Sequence, residues 1–213
     1  MFAAEPPQEP LPYGRWAEAL GAQFAAEPPQ EPLPYGRWAE ALGEHFSKAA
    51  EEEIDPTTIT WFPDRTWAGR TYVPATAPSG DGEVFGYVSY TREHEGAQAM
   101  DFRATADFTE ETAAQNPDWT LDLSDEEIGH WRGPEGRRGV ITLVWGVAMV
   151  ANGAAATTEL GPTTTDQCTL VDDRFTLVSL DAYTGDYVEV RLFGARGAEL
   201  ARESLYEDED EVE

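Results

Sequence analysis

Along most of the chain, large apolar residues alternate with polar ones instead of recurring every third or fourth position. From Ile54 onward, stretches rich in Val, Tyr, Phe, Thr and Trp are broken by Gly, Pro, Asp and Asn, the texture of short strands joined by turns. Strands are expected near residues 67–73, 84–92, 99–108, 140–150, 155–160, 167–171, 175–180, 187–193 and 199–206. The last pair is the clearest hairpin. Tyr187, Glu189, Arg191 and Phe193 alternate with Val188, Val190 and Leu192, and residues 194–197, Gly-Ala-Arg-Gly, supply the turn. Asp172-Asp173 and 79–82, Ser-Gly-Asp-Gly, also read as turns.

Helical signals are few. Glu110, Glu111 and the alanines after them favour a turn or two. Ser124 followed three residues later by Glu127 forms a capping box, predicting a short helix that ends near Gly133-Pro134. The N-terminal region carries the third. There, residues 2–21 read FAAEPPQEPLPYGRWAEALG, and residues 24–43 repeat them letter for letter. The PPQEPLP half of each repeat favours an extended, polyproline-like path. The YGRWAEALG half suits a helix, with Trp16, Leu20 and Phe24, and again Trp38, Leu42 and Phe46, at four-residue spacing on one face. The second of these helices can run on to about Glu53. A helix this short needs something to dock on.

The pattern thus predicts a mainly β fold, an antiparallel β-sandwich or jelly-roll-like domain over residues 54–206 with short helical insertions. A Pro-rich and helical segment, 1–53, precedes it. An acidic tail, 207–213, follows and is too charged to pack.

Charge narrows the partners. The net charge is −27, and Lys48 is the single lysine. Such a balance excludes docking on nucleic-acid phosphate or on an anionic membrane surface, and favours a basic protein partner. No basic region followed by an apolar run opens the chain, and the apolar stretch 140–151 is too short to span a bilayer, so a cytoplasmic setting is expected. Cys168 is alone, which rules out an intramolecular disulfide.

Candidate chemistry is sparse. Of the three histidines, His45 differs from Gln23 of the first repeat, His94 sits in a polar run, and only His130 has an aromatic, glycine-flanked setting. A Cys168–His130 dyad would make a small hydrolase, but a buried structural cysteine is the simpler reading. One cysteine and three scattered histidines give no zinc spacing. Asp118, Asp122, Asp125, Glu126 and Glu127 crowd one run, yet lack the ligand ladder and central glycine of a calcium loop, so they read as solvated surface. Paired carboxylates with tryptophans such as Trp61, Trp67, Trp119 and Trp131 could serve a sugar site, although core packing is the plainer role, above all for Trp145. Residues 136–139, Gly-Arg-Arg-Gly, lack a phosphate-loop pattern and read as a hairpin turn. Neither metal nor cofactor is expected.

This set leans away from catalysis. The leading expectation is a non-enzymatic interaction or adaptor module. Its contact residues would be Tyr35, Arg37, Trp38, Leu42 and Phe46, with Tyr13, Arg15, Trp16 and Leu20 of the first repeat. Tyr, Trp and Arg dominate binding hot spots, and tandem copies raise avidity for a multivalent target. The other reading from charge is an acidic mimic of nucleic acid that inhibits a basic protein.

Overall fold

The computed structural model describes residues 33–51, 53–94, 97–132, 138–161, 163–180 and 188–205. They form one helix and twelve strands, and every pairing between strands is antiparallel. The helix α1 covers Gly36–Ala49. The first sheet holds β1 (Thr60–Trp61), β2 (Arg65–Trp67), β3 (Arg70–Ser79), β4 (Gly82–Thr91) and β5 (Met100–Thr109) in the order β1-β3-β4-β5, with β2 also on β3. The second contains β6 (Leu121–Arg132), β7 (Arg138–Ala148) and β10 (Arg174–Leu180) in the order β10-β7-β6. The third contains β8 (Gly153–Leu160), β9 (Thr163–Thr169), β11 (Val188–Gly194) and β12 (Glu199–Ser204) in the order β12-β11-β8-β9.

The layers follow from which face each residue takes, since side chains alternate along a strand. On β4, Val84, Val88 and Tyr90 join Leu42 and Phe46 of α1 in one core, whereas Tyr87 joins a second core with Trp145, Leu143 and Ile141 of β7. On β7 the alternate residues Val144 and Ala148 enter a third core with Ala156, Cys168, Val190 and Leu192. The order is therefore helix, first sheet, second sheet, third sheet. Strand β7 of the second sheet is buried on both faces, which is why it reads as a near-continuous apolar run instead of an alternating one.

An ion pair ties the three sheets together. Arg65 of β2 donates through Nε and Nη2 to the Asp166 carboxylate of β9 at 3.2 and 2.6 Å, and both side chains are buried. The same carboxylate accepts the N–H of Val178 on β10 at 2.8 Å and of Gln167 at 2.7 Å. The sheet-edge strand β10 thus receives a side-chain acceptor at Val178. Burial pushes the Asp166 carboxyl above its ordinary range, while the Arg65 guanidinium and the two N–H groups pull it back.

Most of the predicted strands are present, and the fold is mainly β and antiparallel as expected. Three departures stand out. The capping box at Ser124 is not a helix: residues 121–132 are the strand β6, paired with β7 from Leu121↔Ala148 to Arg132↔Arg138 with a bulge after Glu127. A long partner strand supplies a full ladder of hydrogen bonds, which outweighs a weak local helix signal. Residues 112–116 likewise form hydrogen-bonded turns, and Glu110 and Glu111 are in no helix. The expected strand at 67–73 is instead the hairpin β2–β3, closed by Ala68 and Gly69, both at positive φ. β3 then continues through two prolines. Pro74 is tolerated because it stands at the break between β1, which pairs with residues 75–76, and β2, which pairs with residues 70–72.

The helical half of the second repeat is part of this fold. Ile54, Trp61 and Val73 share a core with Leu42 and Phe46, so a boundary after residue 53 divides residues that pack together.

Candidate functional site

The structure corrects the expected contact face of the second repeat. Leu42 and Phe46 are 0% exposed and lie in the core between α1 and the first sheet. Trp38 is half-buried, edge-on to Tyr90 at 5.2 Å and near Phe102 at 6.1 Å. The Arg92 guanidinium stacks over both Trp38 and Tyr90. The helical stripe read as a foreign contact is therefore satisfied by the chain's own sheet. Tyr35, 83% exposed, and Arg37 stay on the surface. Tyr13, Arg15, Trp16 and Leu20 lie outside the described residues.

Cys168 and His130 do not meet. Cys168 is buried in the third core, and burial pushes its thiol up to about 12. His130 is half-exposed near the far end of β6, with Nδ1 3.0 Å from Glu127. Trp61 and Trp131 are buried, which leaves Trp119 as the partly exposed indole of the five in the sandwich region.

What gathers instead is acid, at the mouth between the first and second sheets. Residues directly opposite in an antiparallel pair share a face. On the first sheet Glu83, Phe85 and Tyr87 of β4 lie opposite Thr109, Asp107 and Thr105 of β5. On the second, Asp122, Ser124 and Glu126 of β6 lie opposite Val147, Trp145 and Leu143 of β7. Phe85 and Tyr87 point toward the core that holds Trp145 and Leu143, so these two rows face each other. Toward β7 the space between them is filled by apolar groups. Toward the edge strands β5 and β6 it is lined by carboxylates.

A cavity of about 220 Å³ opens there, walled by Glu83, Phe85, Glu111, Trp119, Asp122 and Asp125. A neighbouring one of about 430 Å³ shares Glu111, Trp119 and Asp125 and reaches Glu203. The electrostatics record the crowding. Burial, and then the Asp122 charge, push Glu83 up to about 7. Burial raises Asp122, and burial followed by Asp125, Asp107 and Glu127 raises Glu126. Among the described residues, no three of His, Cys, Asp or Glu are placed to hold a metal ion together.

Comparison with protein families, curated proteins and solved structures gave no match. The reading of this cleft therefore rests on its own geometry. The sequence marked Asp122, Asp125 and Glu126 as a crowded run but assigned them to solvent. It gave no sign of Glu83, Asp107 or Glu111, because strand register and the stacking of two sheets bring these distant positions to the same mouth.

The cleft makes a pH prediction. Glu83 keeps its proton to about pH 7 in the fold, against an ordinary value of 4.5. Between those values the folded state binds the extra proton, so stability falls as pH rises through the window. Discounted for partial exposure, the effect is about 1–2 kcal/mol. Glu83→Gln should raise the Tm at pH 8 by about 2–6 °C and leave it nearly unchanged at pH 5. Equal shifts at both pH values would show that the carboxyl titrates normally.

Proposed function

We propose that the protein is a non-enzymatic binding module that receives a basic protein segment in the cleft between β5 and β6. One observation carries this reading: carboxylates from two sheets converge on a cavity where burial, and then the Asp122 charge, push Glu83 up to about 7. A lysine or arginine side chain entering the cleft relieves that repulsion, and Trp119 and Phe85 offer apolar surface for its methylene stem. The net charge of −27 steers such a partner toward the protein over longer distances. The acids close around one mouth, which favours a single basic segment over a long nucleic-acid-like face.

The test is binding of a fluorescent peptide rich in Lys and Arg. Combining Glu83→Gln, Asp122→Asn and Glu126→Gln should weaken it about tenfold or more at 50 mM salt, and 0.5 M salt should abolish it. Glu40→Gln with Glu44→Gln removes two charges from the exposed side of α1, across the first sheet, and should change affinity less than threefold. If the two sets weaken binding equally, the cleft is not the site.

A further inference from the structure

The groove on the outer face of the first sheet holds one helix, yet the chain carries two segments able to fill it. We infer that the first repeat, residues 13–24, is an alternative occupant of the groove that α1 fills, so that the two repeats exchange within one molecule.

The argument rests on what the groove touches. The α1 residues that face it are Trp38, Ala39, Leu42, Gly43 and Phe46. Each has an identical counterpart 22 positions earlier: Trp16, Ala17, Leu20, Gly21 and Phe24. Gly43 packs closely under Ile59, where an added Cβ would stand 3.3 Å from Cδ1, and Gly21 is the same small residue. Gly36 opens the helix at positive φ, a conformation that Gly14 also allows. Tyr90 and Phe102, which hold Trp38, would meet the same indole in Trp16. Pro28 falls at the position of Ala50, whose N–H donates to the Phe46 carbonyl at 3.0 Å, so the first repeat lacks that closing bond, but the segment through Ala26 contains nothing that forbids the same helix.

The differences set which repeat prevails. His45 stacks on Phe102 at 4.5 Å, and the first repeat has Gln23 there. Seating the first repeat also lengthens the connection to Ile54 from 7 residues to 29. Loop closure alone then favours the second repeat by roughly eightfold. The second repeat is the resident and the first is the reserve. The proposal is independent of the acidic cleft, which lies on the opposite face of the first sheet.

Three full-length variants test it: Leu20→Asp, Leu42→Asp, and both together. Leu20→Asp should leave the Tm within about 1 °C of wild type. Leu42→Asp should lower it by only about 4–8 °C, because the first repeat takes the groove. The double variant should lose at least twice as much. With fluorotryptophan labelling, the ring-current-shifted resonance should belong to Trp38 in wild type and to Trp16 in Leu42→Asp. If Leu42→Asp alone falls as far as the double variant, or fails to fold, the first repeat does not enter the groove. If the rescue occurs only in a dimer, the occupant comes from a neighbouring chain and the intramolecular exchange is wrong.

Discussion

Arg65→Ala is expected to lower stability by about 3–5 kcal/mol, enough to move the melting transition by roughly 10 °C or more. The substitution removes both guanidinium bonds from Asp166 and leaves a buried carboxylate facing two N–H groups without a counter-ion. It also strips the carbonyl of Gln167 of an Arg65 donor at 2.8 Å. Three sheets meet at this point, so the loss should appear as one cooperative transition and not as fraying of a single layer. The pair Arg65→Met with Asp166→Leu should be less damaging than either half, since no unpaired charge remains. Chemical denaturation reads both quantities. A loss below about 1 kcal/mol for Arg65→Ala would mean that the ion pair does not tie the sheets.

Trp145→Ala should be of similar size, about 3–5 kcal/mol. Trp145 is 0% exposed in the core between the first and second sheets, with Phe85 at 6.5 Å between ring centroids. Its indole Nε1 has no hydrogen-bond partner among the described residues. A buried, unsatisfied donor is a liability, so Trp145→Phe, which keeps an aromatic ring and deletes the donor, should cost under about 1.5 kcal/mol. If Trp145→Phe proves as damaging as Trp145→Ala, the N–H is bonded and the packing account of this core fails.

Much of the β architecture was legible in the sequence because period-2 alternation and turn residues are local signals. The hairpin through residues 194–197, the turn at Asp172-Asp173 and the turn at Gly80-Asp81 were all readable that way. β6 was not. Its Ser124–Glu127 signature is a genuine helix-start pattern, and only the presence of β7 alongside overrides it. The second repeat shows the same limit from the other side. The spacing of Trp38, Leu42 and Phe46 revealed an apolar helical face, but not that the chain's own sheet covers it. The cleft was the least legible. Glu83, Asp107 and Asp122 belong to three strands, and their approach depends on register and on how two sheets stack, neither of which leaves a local trace.

The protonation of Glu83 is the most direct test of the cleft account. Carbon-13 NMR of side-chain carboxyls, titrated from pH 3 to 9, should show Glu83 changing at about 7. Adding a saturating Lys-rich peptide should pull that midpoint down by a unit or more, because a cation in the cleft favours the ionised form. A Glu83 midpoint near 4.5, or one that the peptide leaves in place, would contradict both the electrostatics of the cleft and its role as the binding site.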